Sequence, residues 1–282
     1  LAAENPKLIY ASISGFGQIG PRAQAPAYAP VIHAASGYET AYNEYQRGSG
    51  RPANNGIFIA DVLGAAHAFG AVQLALYERA RSGRGQYIDV SLMDSVLGML
   101  IYEIQAAQFP PERPRQVYEP VQAADGYVMV AAVTRKNLDV LFDMIGYPQG
   151  KNDPRFATVA TKEANWPALL KLIEDWTRER SGAECEATLM RAGVPCSRYR
   201  SVAEAMDDPQ VTARGSMAEL NVGGDHFLVA NAPFKMSGTP LAAQPRLAGL
   251  GENTTEVLQE MLGLSDERVE ELQSQGALGA LA

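Results

Sequence analysis

The chain has 282 residues, 46% hydrophobic and 20% charged, enough for a large globular domain and a smaller one. Its formal net charge of −8 argues against nucleic acid or an acidic membrane as partner, but leaves room for an anionic small ligand held by a few local cations. Two cysteines, Cys185 and Cys196, and three scattered histidines give neither a disulfide framework nor metal-ligand spacing, which implies a reducing, cytoplasmic setting and no metal site.

No apolar run is expected to span a membrane, and no secretory leader is visible. The opening "LAAENPKLIYASI" reads as a helix tail, a turn at Asn5-Pro6 and a buried strand over 7–14. A parallel strand that opens a chain lacks an earlier partner, so residues before Leu1 are expected. Gly15, Gly17 and Gly20 follow, spaced as G-x-G-x-x-G. A dinucleotide site requires that such a turn open a helix at once, because the pyrophosphate sits on the helix's first N–H groups. Pro21, Pro26 and Pro30 remove donors and push their neighbours toward extended geometry, so a nicotinamide oxidoreductase is disfavoured. Glu39 stands where a ribose-binding acid would, but without the intervening helix.

Residues 21–56 read as irregular, with one helix around Val31–Ser36 and a loop over 46–56. A helix starts at Asp61, whose carboxylate can cap free N–H groups, and runs to Gly83 or Gly85. Val62, Ala65, Ala66, Phe69, Val72 and Leu76 form its expected core face. A strand over 86–92 and a helix over 93–109 follow, then a linker over 110–116. Next come a strand over 125–133, a helix closed by Gly146, a helix capped by Asn165, and a helix closed by Gly193. The short strand "VPCSRYR" and a capping box at Ser201 and Glu204 complete a small α+β domain. A strand over 226–236, a Pro/Gly-rich crossing over 237–253 and two short helices end the chain.

Four stretches, "NPKLIYASISGFGQIGP", "AYAPVIHAASG", "IADVLGAAHAFGAVQLALYERARSGRGQYIDVSLMDSV" and "PRLAGLGENTTEVLQEMLGLSDERVEEL", together resemble the class III CoA-transferase family, which includes formyl-CoA and carnitine CoA-transferases. The resemblance spans nearly the whole chain and is weakest over 135–225. It implies an α/β fold with an open nucleotide-fold-like large domain and a small α+β domain. Residues 1–112 would form the first part of the large domain, preceded by a missing segment; 118–222 the small domain; and 226–282 the return to the large one. It also implies an interlocked homodimer. Coenzyme A would be a substrate and no cofactor would stay bound; most contacts to its nucleotide would precede Leu1.

By the same resemblance Asp61 is the nucleophile that forms an acyl-aspartyl anhydride and then an aspartyl-CoA thioester. Gly15, Phe16 and Gly17 would form a loop at the rim of the site, where absent side chains let a thioester approach the backbone and N–H groups meet an oxyanion. Pro26, Ala27, Tyr28 and Ala29 match a segment that contacts CoA near the thioester. Related racemases carry histidine at the position of Tyr28; a phenol, titrating near 10, is a poor base at neutral pH, which favours transfer over racemisation. Ala29-Pro30 replaces the acidic residue many relatives carry after that position, leaving acyl recognition open. "RPRQVYEPV" lacks the glycine-rich loop of the formyl-CoA enzymes, which argues against formyl or oxalate as substrates. The alternatives are an acyl-CoA racemase or isomerase, and a non-catalytic paired subunit. His33 is assigned to the core or a pocket wall, His67 to a structural role, Asp89 and Asp94 to local hydrogen bonds, and Trp166 and Trp176 to packing.

Overall fold

The structure is a computed structural model that describes residues 1–46, 51–112, 115–222, 224–244 and 247–278. Parts of the expected loop at 46–56, linker at 110–116 and crossing segment at 237–253 therefore lie outside the described residues. The chain divides into two compact units, Leu1–Val117 and Tyr118–Ala282.

The first unit is a β-α-β arrangement. Strand β1 (Tyr10–Ser14) pairs in parallel with β2 (Tyr87–Ser91), in a register that sets Tyr10 beside Tyr87 and Ser14 beside Ser91. Between them lie α1 (Ala29–Ala35), α2 (Tyr38–Tyr45) and the long α3 (Ile59–Ser82). α4 (Leu92–Met99) and α5 (Ile101–Gln108) follow β2. After Gly20 the chain turns through 21–25 and enters no helix until Ala29, so the prolines act as expected.

Several expectations are corrected in this unit. β1 is not buried: Tyr10 and Ile13 are 49% and 53% exposed, because the described sheet has only two strands. α2 is a second helix in the stretch expected to be irregular; Tyr38, Ala41, Tyr42 and Tyr45 recur at helical spacing, and Gly37, at φ 79°, separates it from α1. The helix expected over 93–109 is two, because Leu100 leaves helical geometry at ψ 42°. Finally, α3 buries Ala60, Gly64, Ala68 and Ala75, while Val62 and Phe69 are more than half exposed. Small residues permit close packing on the layer beneath; a Cβ on Gly64 would lie 2.3 Å from Leu92 Cδ2. The same Ala/Gly richness makes α3 long and apolar enough, by length and composition, to cross a membrane, contrary to the sequence expectation.

The direction of α3 fixes where a site can lie. Arg79, near its C-terminus, donates to the Lys7 carbonyl ahead of β1. Ala60, near its N-terminus, packs in one apolar cluster with Phe16 and Leu92, just beyond the ends of β1 and β2. The start of α3 therefore stands at the carboxyl ends of the strands, where open α/β sheets bind ligands.

The second unit carries a three-stranded antiparallel sheet in the order β3 (Val121–Ala123), β4 (Gly126–Val130), β5 (Cys196–Arg198). Around it run α6 (Arg135–Met144), α7 (Val159–Ala164), α8 (Trp166–Thr177) and α9 (Gly182–Arg191). Phe142, Phe156, Leu169 and Ile173 are buried at its centre, each contributing about 1.5–3 kcal/mol by transfer from water. Asn165 holds the cap position of α8 as expected, but its side chain makes no capping bond; its amide donates back to the Thr161 carbonyl. Ser201 and Glu204 form the expected capping box at α10 (Val202–Met206). α11 (Pro209–Arg214), the hairpin β6 (Met217–Val222) and β7 (Asp225–Ala230), then α12 (Thr254–Leu262) and α13 (Asp266–Ser274) complete the unit. β6 was not expected from the sequence.

Candidate active site

Asp61 is not the cap of α3 but the third residue of its first turn; Phe58 holds the cap position, with no side-chain hydrogen bond. The Asp61 N–H donates to the Phe58 carbonyl at 3.1 Å. Its side chain is exposed, not walled off by packing. The local fold explains this: Ala60 and Gly64 turn inward one helical turn apart, and Asp61 falls on the open side.

The glycine loop is held from three sides. The Gly15 carbonyl accepts the Met93 N–H of α4 at 3.0 Å. The Asp89 carboxylate accepts the Gln18 N–H at 2.8 Å, and Gln18 Nε2 donates to Ser12 Oγ at 2.8 Å. Gly17 adopts φ 81°, a left-handed conformation that glycine takes without strain. A Cβ on Gly15 would lie 2.4 Å from that of Ala27, and one on Gly17 would meet Ser91 and Asp89. Gly15 is thus a close-approach position against Ala27, Gly17 would make ordinary contacts, and at Gly20 a Cβ would meet nothing within 4 Å. The Gln18 N–H, engaged by Asp89, is also withdrawn from any oxyanion role.

The 26–29 segment shares this core. Ala27 packs against the cluster containing Phe16, Ile32 and Ala60. Ala29 is only 2% exposed, so its methyl is packing, not a contact surface. Tyr28, the residue before α1, is 81% exposed and makes no capping bond, and Pro26 is exposed beside it. The structure therefore gathers Gly15, Phe16, Gly17, Ala27, Ala29 and the root of Asp61 around one cluster, with the Asp61, Pro26 and Tyr28 side chains outward.

One contact had no sequence signal, and one expected core residue has a partner the sequence did not show. Arg22 lays its guanidinium over the Phe16 ring at 3.8 Å, a cation at the loop's mouth. His33 lies fully buried beneath the start of α3 and accepts the Ala60 N–H at Nε2. His67, by contrast, is exposed on α3. Two cavities lie elsewhere: one of about 220 Å³ is lined by Pro6, Leu8, Arg84 and Tyr87 at the amino ends of the strands, and one of about 490 Å³ by Tyr147, Trp176 and Arg180 in the second unit. Asp61 stands on an open surface of the described residues instead.

Comparison with known proteins places this arrangement. The chain is 31% identical over 271 residues to a succinate–glutarate CoA-transferase of Agrobacterium fabrum, covering 91% of this chain and 66% of that protein. It is 33% identical over 248 residues to an acetyl-CoA:oxalate CoA-transferase of Acetobacter aceti, covering 84% of this chain and 62% of that protein. The chain thus spans about two thirds of the length of these curated relatives. Its fold matches a CaiB/BaiF family protein of Brucella suis with a TM-score of 0.75 and 29% identity, over 92% of this chain and 69% of that one. The profile of CoA-transferase family III matches residues 1–254, and this chain belongs to that family.

Proposed function

We propose that the protein transfers CoA from an acyl-CoA thioester to a carboxylic acid, with Asp61 as nucleophile. The observation that carries this reading is an exposed carboxylate in the first turn of α3, beside the glycine loop at the carboxyl ends of two parallel strands. An Asp61 oxygen attacks the thioester carbon, the C–S bond breaks, and CoA leaves as thiolate from a mixed anhydride. The thiolate then attacks the aspartyl carbonyl, releasing the donor acid and leaving an aspartyl-CoA thioester. The acceptor carboxylate attacks the aspartyl carbonyl of that thioester, expelling CoA thiolate and forming a second anhydride; the thiolate then attacks the acceptor's acyl carbon, whose bond to the Asp61 oxygen breaks. Asp61 ends as it began. Anhydride and thioester must both be kept from water, so the open surface around Asp61 is to be covered by further protein.

That cover is the second element of the proposal. The exposed Val62, Phe69, Leu74 and Tyr77 of α3 and the two-stranded parallel sheet have apolar surface to bury. A nucleotide-fold segment before Leu1 and a second copy interlocked with the first, returning over 226–282, would supply the cover. α3 is then a core helix, and the protein is a cytoplasmic homodimer without membrane or nucleic-acid partner. Tyr28 and Pro26 contact the thioester end of CoA, and Arg22 offers a cation to an incoming carboxylate. Tyrosine at position 28 favours transfer over racemisation. In the full-length protein, Asp61→Ala is expected to abolish transfer with the dimer intact; retained turnover contradicts the mechanism.

A further inference from the structure

Behind Asp61 lies a polar group that the reaction above does not use. His33 of α1 is 0% exposed, and its Nε2 accepts the Ala60 N–H at 3.2 Å. Ala60 directly precedes Asp61, and its N–H is one of those that a helix start leaves without an intrahelical partner. A ring nitrogen that accepts carries no proton, so the imidazole proton belongs on Nδ1. Among the described residues Nδ1 has no hydrogen-bond partner, and it faces Glu39 Oε1 at 3.7 Å. Glu39, on α2, also accepts the Asn55 N–H at 3.1 Å. Asn55 donates its amide to the Tyr38 hydroxyl at 2.7 Å and accepts the Ile57 N–H at 2.9 Å. The Tyr38 ring meets His33 edge-on, with centroids 5.3 Å apart. The chain from Asn55 to Ala60, which delivers Asp61, thus hangs from side chains of α1 and α2.

We propose that His33 and Glu39 are positioning residues for Asp61: the imidazole holds the first turn of α3 through Ala60, and Glu39 selects the accepting tautomer while anchoring the arriving chain at Asn55. A carboxylate facing one ring nitrogen fixes the role of the other, which is how a histidine is commonly held to one task. The pair touches no substrate and acts through the backbone. The proposal rests on Asp61 being the nucleophile, so its test includes a readout independent of turnover.

Three variants of the full-length protein are compared: His33→Leu, which fills the volume without an acceptor; His33→Gln, which keeps an acceptor; and Glu39→Gln. Steady-state transfer gives kcat and KM, and hydrogen–deuterium exchange reports peptides covering 55–62. For His33→Leu, kcat is expected to fall about 10²-fold, as displacement of a catalytic group by an ångström does, with KM for acyl-CoA little changed. Exchange over 55–62 accelerates while other peptides stay as in the wild type. His33→Gln restores protection and most of kcat. Wild-type kcat and exchange in His33→Leu overturn the proposal, as does equal impairment of both His33 variants with loosening throughout the protein. Should His33→Leu fail to fold, Glu39→Gln decides: faster exchange over 55–62 and lower kcat support the proposal, and wild-type values overturn it. If Asp61→Ala keeps its turnover, the nucleophile assignment falls, while the exchange data still judge the anchor.

Discussion

Substituting Gly15 by alanine tests how the site is assembled. The new Cβ would lie 2.4 Å from the Ala27 Cβ. Carbon atoms in good contact stand about 3.5–4.0 Å apart, so the gap must open by more than about 1 Å. Neither methyl has a rotamer to escape into, so the backbone of the glycine loop or of the 26–28 segment must move. Overpacking of this kind costs about 1–3 kcal/mol, less about 0.4–1 kcal/mol regained because alanine restricts the unfolded chain. A net loss of about 1–2 kcal/mol, a drop of several degrees in Tm, is expected. Because Ala27 and Ala60 share one cluster, the shift reaches the root of Asp61, and kcat is expected to fall about 10²-fold. Gly98→Ala in α4 is the contrast: a Cβ there meets nothing within 4 Å, and alanine inside a helix gains about 0.5–1 kcal/mol. Calorimetry and transfer kinetics on both variants decide the matter. Gly15→Ala with wild-type Tm and kcat would refute the close-approach reasoning.

Asp89→Ala removes the acceptor for the Gln18 N–H and is expected to lower kcat by about tenfold with little change in Tm; unchanged kinetics would separate the loop's anchoring from catalysis. Phe142→Ala leaves a cavity where a ring is 0% exposed and should cost about 3–5 kcal/mol in denaturant unfolding; a loss below about 1 kcal/mol contradicts the assigned core. Burial, with smaller contributions from Cys185 and Glu186, pushes the Cys196 thiol up from 9.0 to about 12. The unfolded thiol ionises first as pH rises, so this contribution is intact below pH 9.0 and is lost between there and about 12. Unfolding midpoints across that window should fall less steeply in Cys196→Ser, and slow alkylation of native Cys196 near pH 8 accompanies this; rapid native alkylation refutes it.

Much of the architecture was legible because its signals are local. Gly83 and Gly146 end helices in left-handed conformations, Pro21 keeps a helix from following the glycine turn, and Ser201 and Glu204 pair as their spacing requires. The misreadings concern packing partners, which no local pattern records. Val62 and Phe69 promised a core face by size, yet Ala60, Gly64 and Ala68 are buried because Leu92 approaches the helix axis closely. Asp61 was found through neighbouring motifs, but its place in the first turn and its exposure depend on which side of α3 faces the sheet. Glu39 was noticed for a ribose it has no helix to meet; its partners are Asn55 and His33, brought close only by the folding of α1 and α2 over the start of α3. Arg22 carried no signal because a cation–π contact across six residues of turn has no spacing rule.

The central claim is that the Asp61 carboxylate takes up the acyl group and then CoA. Peptide mass spectrometry of full-length protein incubated with acyl-CoA and trapped with hydroxylamine tests it most directly. The account predicts a hydroxamate on the Asp61 peptide that forms only when acyl-CoA is present and disappears in Asp61→Asn. Modification of a different residue, or turnover by the wild-type enzyme with an Asp61 peptide that is never modified, would contradict it.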